Sequence, residues 1–214
     1  MFSSPPLVRF THRALGIARP TMNQQMVKRL VGTSPKYGRA QPQRRGPATA
    51  KQRQVLGEYF EEDFSKIEPV SVEPGHQAEW AWLLKGFERI TGCPTGRYRG
   101  ELLASALRYR DEATGCLVDE GDANGNIRRH TRRLWPQTEI AKAWIAQAES
   151  GEARAADEAR AALARLERHY LSHPVAGGWY DQFDRDGNSL VATIPASSFY
   201  HVLCAVAEAE QVIG

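Results

Sequence analysis

Cysteine is scarce in this sequence, and the three that occur, Cys93, Cys116 and Cys204, are far apart. An odd number of cysteines without a C-x-x-C pair is typical of neither a disulfide framework nor a structural zinc site. Long hydrophobic runs are also missing, since the longest, 202–207, is far shorter than the roughly 18 residues that indicate a membrane span. We therefore expect a protein of a reducing compartment, the cytoplasm, with no membrane partner.

Acidic residues are absent from 1–53, a segment that contains eleven Lys or Arg. The remainder, 54–214, has 17 Lys or Arg against 25 Asp or Glu, so the two parts differ in the sign of their charge. The basic segment is also rich in Pro and Gln and has little helical or strand periodicity. This composition predicts a disordered tail followed by one domain over 54–214.

Three interpretations of the basic tail stay open. Transit peptides are rich in Arg and poor in acids, so it could be a targeting presequence. The charge alone would also permit an arm for nucleic acid, but no aromatic interleaving supports that partner, and we predict none. The third interpretation is a tail without function, such as the product of a truncated reading frame.

From residue 54 onward, apolar residues recur every three or four positions between clusters of Gly, Pro and Asn, which predicts helices. The first, third and fifth of these segments have one charged side, whereas the second, fourth and sixth are apolar or small around most of their circumference. Outer and inner helices therefore alternate, which predicts an all-α fold, an α/α toroid of helical hairpins in two layers. The six segments are 54–64, 76–90, 97–112, 137–149, 152–172 and 195–212.

Two short β-hairpins are predicted at one end of the toroid. Asn124-Gly125 and Asp186-Gly187 supply the positive φ angles that tight hairpin turns require, and each turn precedes an inner helix. The segment 184–188 has the acidic residues of a calcium loop but lacks the Gly position and the distant Glu of an EF-hand.

The inner helices begin near Pro74, Pro136 and Pro195, a position that proline favours. Polar residues follow each proline, and parallel inner helices would bring them together at one end of the toroid. Histidine and carboxylate pairs beside tryptophan offer proton transfer next to flat apolar faces, which suits a carbohydrate. These residues are His76, Glu79, Glu139 and His201, with Trp80, Trp135 and Trp179 near the same helix ends.

Other roles for these side chains remain open. A polar residue at a helix start is often a cap, and a single histidine on an apolar helix is often a hydrogen-bonded core residue. The same side chains could bind a metal, but His76-x-x-Glu79 lacks the second histidine of an HExxH zinc motif. We predict no metal and no cofactor.

Three ordered motifs resemble the N-acylglucosamine 2-epimerase superfamily, which includes mannose-type aldose-ketose isomerases and cellobiose 2-epimerases. They are E-P-G-H-Q-A-E-W-A-W-L-L at 73–84, R-L-W-P-Q-T-E at 133–139, and G-G-W-Y-D at 177–181 followed by T-I-P-A-S-S-F-Y-H at 193–201. The resemblance covers about 54–214 and only the C-terminal half of such an enzyme.

The resemblance implies a partial six-hairpin α/α barrel and a sugar isomerase or 2-epimerase that works through an enediol. His76 and His201 would be the acid and base, and a monosaccharide or sugar phosphate the substrate. The residues expected to bind the sugar are Glu79, Trp80, Trp135, Glu139, Trp179 and Asp181. The short chain suggests an alternative, a truncated and noncatalytic fragment or a sugar-binding pseudoenzyme, and assembly into a homo-oligomer stays open.

Overall fold

A computed structural model describes residues 55–59 and 69–214, and the predicted basic tail lies outside these described residues. The described part of the chain contains five α-helices, which correspond to the predicted segments from 76 onward. They are α1 (Pro74–Thr91), α2 (Gly96–Ala106), α3 (Leu134–Glu149), α4 (Ala155–Leu166) and α5 (Phe199–Val212). Short turns adjoin three of them: 3-10 turns at Leu107–Tyr109 and Ala196–Ser198, and a π turn at Glu167–Leu171.

Helix α3 lies at the centre of the packing. It contacts α1 and α5 within one layer, whereas α2 packs against both α1 and α3, and α4 packs against α3. Ala141 and Ala143 point to opposite sides of α3 and are both fully buried, because neighbouring helices cover the whole circumference. The predicted alternation of inner helices (α1, α3, α5) and outer helices (α2, α4) is confirmed.

The described residues contain five short antiparallel strands. β1 (Ser71–Val72), β2 (Glu120–Asp122) and β3 (Ile127–Arg129) form one sheet, while β4 (Arg132–Arg133) pairs with β5 (Gln182–Phe183). Both predicted turns are present, with φ of +95° at Gly125 and +89° at Gly187. Because β4 leads directly into α3, its pairing with β5 fixes where that helix begins.

The first predicted helix, 54–64, is wrong for its described residues, since 55–59 form no helix. Its residues 54 and 60–64 lie outside the described ranges. The side-chain amide of Gln77 binds both backbone groups of Leu56, accepting from its N–H at 3.0 Å and donating to its C=O at 2.7 Å. These bonds replace the helical ones, so Leu56 packs in the core as extended chain.

The inner helices run parallel, and an ion-pair cluster joins their C-terminal ends. Arg89 of α1 donates to Glu149, the last residue of α3, at 3.0 Å and to Glu208 of α5 at 2.8 Å. Lys85 approaches Glu149 as well, with 3.7 Å between the charged atoms. The N-terminal ends of the three helices must therefore also lie on one side of the molecule.

Helix α5 has one apolar side that stays open. Phe199, Tyr200, Leu203 and Val206 are between 44% and 55% exposed, although α5 belongs to the inner layer. No helix among the described residues is long and apolar enough to cross a membrane. The other described elements thus leave this side of α5 partly uncovered.

Candidate functional site

Trp135 occupies the middle of the N-terminal end of the inner layer, between two histidines. Its ring centroid lies 5.0 Å from that of His76 on α1 and 5.6 Å from that of His201 on α5. Gly75 makes this packing possible, because a Cβ atom at that position would stand 2.4 Å from the Trp135 ring. Two histidines from separate helices therefore both pack against the Trp135 ring.

His201 forms a buried pair with Glu139 of α3. Its Nδ1 lies 2.7 Å from Glu139 Oε1, and the two side chains are 12% and 0% exposed. The other carboxylate oxygen lies 2.8 Å from the ammonium nitrogen of Lys142, which is also fully buried. Glu139 is therefore not merely a helix cap, because it connects a histidine to a buried cation.

His76 forms a more open pair with Glu58, a residue of the extended segment 55–59. Its Nδ1 lies 2.6 Å from Glu58 Oε2, and the side chains are 38% and 12% exposed. The hydrogen bond that the ring donates to Glu58 raises the pKa of His76 above its ordinary value, against the opposing effect of burial. Burial also raises the pKa of Glu73, whose carboxylate lies 3.9 Å from the same Nδ1 atom of His76.

Both histidines use Nδ1 for the carboxylate, which has a chemical consequence. When an ionised carboxylate accepts from Nδ1–H, the neutral ring keeps a lone pair on Nε2. Nε2 of each ring is then the atom that can take or return a proton. The geometry provides two oriented imidazoles, one in a buried pair and one in an open pair.

Several site residues were missed by the sequence analysis. Glu58 fell within the wrongly predicted first helix, so no signal placed its carboxylate near His76. Arg133 lies over the Trp135 ring at 5.8 Å and pairs with Asp119 at 3.4 Å. Lys142 could have been found, because it follows Glu139 by three residues on one helix.

The remaining predicted substrate residues lie at different distances from the histidines. The negative charge of Glu79 acts on both His76 and Tyr200, and its contact with a sugar stays a prediction. Trp80 instead packs against the main hydrophobic cluster. Asp181 accepts a hydrogen bond from the Ser198 hydroxyl at 2.5 Å, which joins the start of β5 to the start of α5.

Trp179 lies beside a separate cavity. It stacks on Phe199 with ring centroids 6.2 Å apart, and it lines a space of about 330 Å³ together with the loop 189–194. His173 and Tyr180 line the same cavity. The predicted residues therefore divide between the histidine pairs and this neighbouring aromatic cavity.

One group of side chains could offer ligands to a cation. Potential ligand atoms of Glu58, Glu73 and His76 lie within 4.8 Å of one another. In the present arrangement they already have partners, since His76 binds Glu58, and Arg133 lies 3.6 Å from Glu73. The prediction that the site needs no metal stays a prediction.

Comparison with known proteins identifies the class to which this fold and site belong. A model of the N-acylglucosamine 2-epimerase (GlcNAc 2-epimerase) family matches residues 38–205. The chain therefore belongs to this family of sugar isomerases and epimerases. The match begins at residue 38, within the basic segment and ahead of the predicted domain start at 54.

The chain is also similar to individual members. It is 35% identical over 172 residues to a mannose-6-phosphate isomerase of Rhizobium meliloti (strain 1021), covering 74% of this chain and 43% of that protein. Among solved structures, a D-mannose isomerase matches with a TM-score of 0.64 at 21% identity, over 74% of this chain and 43% of that one. Cellobiose 2-epimerase from Bacillus thermoamylovorans B4167 matches with a TM-score of 0.65 at 14% identity, over 77% and 45%.

These structural similarities confirm the predicted α/α toroid fold. The chain spans less than half the length of the relatives that it matches. The described helices therefore correspond to part of such a toroid, in agreement with the open side of α5.

Proposed function

We propose that this chain acts as a sugar isomerase or 2-epimerase by histidine-mediated proton transfer through an enediol. The observation that carries the proposal is the pair of carboxylate-anchored histidines on either side of Trp135. A base that takes a proton next to a carbonyl near neutral pH has to titrate close to that pH, which favours histidine. The resemblance to mannose isomerases and cellobiose 2-epimerase supports the same chemistry.

In the proposed mechanism, Nε2 of His201 removes the C2 proton of a ring-opened aldose. The electron pair of the C–H bond forms the C1–C2 double bond of an enediol, and the carbonyl oxygen takes a proton. Return of a proton to C1, with loss of the C2 hydroxyl proton, gives the ketose, whereas return to the opposite face of C2, with loss of the C1 hydroxyl proton, gives the epimer. His76, whose pKa is raised by Glu58, supplies the proton for ring opening or for the second face.

The surrounding side chains would hold the sugar. Trp135 would stack on its apolar face, as aromatic rings do in carbohydrate sites, and Trp179 would extend that platform toward the neighbouring cavity. Glu79 and Asp181 would accept hydrogen bonds from hydroxyl groups, and Glu139 would orient His201. The contact of Trp80 with a substrate stays a prediction, since this ring packs against the core.

Hydrogen exchange in heavy water tests the mechanism directly. Free mannose, mannose 6-phosphate, N-acetylmannosamine and cellobiose would be incubated with the chain in deuterium oxide and followed by NMR at C1 and C2. We expect deuterium at C2 of one substrate, together with the ketose or the epimer. His201→Ala should reduce the rate by about 10²–10⁴, the usual contribution of a general base.

His173→Ala is the matched control, because His173 lines the neighbouring cavity and lies outside the histidine pairs. It should retain exchange at C2. Full exchange in His201→Ala would disprove the assignment of the base. Light scattering on the same sample would show whether the active species is one chain of 23.9 kDa or a homo-oligomer.

A second candidate function is sugar binding without turnover. It is favoured by the half-exposed side of α5 and because the chain matches less than half the length of its relatives. Binding that shifts the Trp135 fluorescence without any deuterium uptake would support it. For either function we propose a cytoplasmic location, in keeping with three cysteines that form no disulfide.

A further inference from the structure

Lys142 is a cation buried on α3, one helical turn after Glu139. Neither side chain is exposed at all, and the ammonium nitrogen lies 2.8 Å from Glu139 Oε2. The same nitrogen lies 3.8 Å from the ring centroid of Trp82 on α1, a cation–π distance. A charge without water around it is costly, so Lys142 depends on these two partners.

Glu139 divides its oxygens between two groups of different kinds. Oε1 faces His201 Nδ1 at 2.7 Å, and Oε2 faces Lys142. We propose that Lys142 is a positioning residue, which acts through Glu139 to keep His201 unprotonated and ready as a base near neutral pH. This inference rests on the proposed function only in the role that it gives His201.

The charge of Lys142 matters because it offsets the buried charge of Glu139. With Lys142 protonated and Glu139 ionised, the buried pair is neutral, and His201 can also be neutral without leaving a net charge. If Lys142 loses its charge, Glu139 becomes an uncompensated buried anion, and the His201–Glu139 pair should hold one more proton up to a higher pH. The midpoint moves to higher pH whether that extra proton is on the His201 ring or on the Glu139 carboxyl, because a closely coupled pair binds its proton jointly.

Other ionisable groups near this pair have partners or effects of their own. Glu208 of α5 is bound by Arg89 at 2.8 Å, and Arg133 pairs with Asp119. The Tyr200 ring is tilted against that of His201 with centroids 3.8 Å apart, and burial raises the pKa of Tyr200 together with the charges of Glu79 and Glu139.

The decisive experiment is an NMR titration of the His201 ring in Lys142→Met. We expect the midpoint of the His201–Glu139 titration to move to higher pH by about one unit or more, as expected when a close charge is removed from a buried site. If the chain is active, the acidic limb of its kcat/KM profile should move in the same direction. Lys142→Arg keeps the charge and should leave both close to those of the unsubstituted protein.

Lys85→Met is the matched control. Lys85 is also a buried, ion-paired lysine, 8% exposed, but it lies near Glu88 and Glu149 at the opposite ends of the inner helices. It should lower stability without moving the titration. If Lys142→Met fails to fold, Lys142→Gln provides the same test, because it also removes the charge but keeps a polar side chain.

An unchanged His201 midpoint in the folded Lys142 variants would overturn the inference and leave Lys142 as a merely structural cation. The titration needs no turnover, so it separates this inference from the proposed function. A shifted midpoint in a chain that acts on no sugar would support the role of Lys142 while contradicting the enzyme. Activity on a sugar together with an unshifted midpoint would support the enzyme and contradict the role of Lys142.

Discussion

His201 and His76 both face a carboxylate through Nδ1, yet the two pairs are built differently. Glu139 comes from a helix buried on all sides and is backed by Lys142, whereas Glu58 comes from an extended segment and leaves His76 38% exposed. A base that must stay unprotonated is better served by the first environment, and an acid by the second. Similar residues can therefore have opposite tasks because of the charges and water around them.

Among these changes, loss of the buried Glu139–Lys142 ion pair should have the largest effect on stability. Glu139→Gln removes the partner of a buried lysine, so we expect the free energy of unfolding to fall by about 3–5 kcal/mol. Chemical denaturation measures this loss. The double variant Glu139→Gln/Lys142→Met is the control, because it removes both charges together and should recover most of the stability. A loss in the double variant as large as in the single one would show that the ion pair is not the cause.

Breaking the open pair should cost less. Glu58→Gln leaves no buried charge, so stability should change little, while the activity should fall by about tenfold, less than full loss of a general acid. The basic limb of the kcat/KM profile should also move to lower pH, since the Glu58 hydrogen bond raises the pKa of His76. Steady-state rates on the substrate found in the exchange experiment would measure both. A basic limb that does not move would contradict the role of Glu58.

The smallest effect is expected for the pH dependence of stability, which depends on the open pair of His76 and Glu58. The pKa of His76 is raised in the folded chain, so its protonation stabilises the fold fully below the unfolded value of about 6.5. That contribution is lost as pH rises through the folded value. His76→Gln should therefore lose more stability at pH 6 than at pH 9, by at most about 1 kcal/mol because the ring is partly screened by water. Urea unfolding at both pH values tests this, and equal losses would contradict it.

The inner helices and the convergence of His76, Trp135, Glu139 and His201 could be predicted from the sequence. Proline marks the helix starts, and hydrophobic periodicity distinguishes inner from outer helices, so parallel packing brings these residues to one end. Glu58 could not be predicted in this way. Its segment has helix-like spacing, and long-range bonds from Leu56 to Gln77 and from Glu58 to Ser71 hold it in a different conformation.

The role of each tryptophan was also beyond sequence reasoning. All three lie near helix starts or a hairpin, but which side of the element faces the histidines depends on neighbours far along the chain. Trp135 faces them because Gly75 leaves room for its ring, whereas Trp80 turns to the core. The same limit applies to Arg89 and Glu208, which meet across 119 positions of sequence.

Gln77 has a consequence for the open pair. Its amide holds Leu56, and Glu58 follows two residues later, where its N–H donates to Ser71 and its carboxylate accepts from the N–H of Glu73. Val55 and Leu56 are also buried in hydrophobic clusters, so the segment that carries Glu58 is fixed to the helical core. Loss of these contacts would remove the anion from His76 and return its proton affinity toward that of a free imidazole, without any change in the five helices. The proton affinity of the acid side is thus set by the attachment of one segment, whereas the base side depends on contacts within the helices alone.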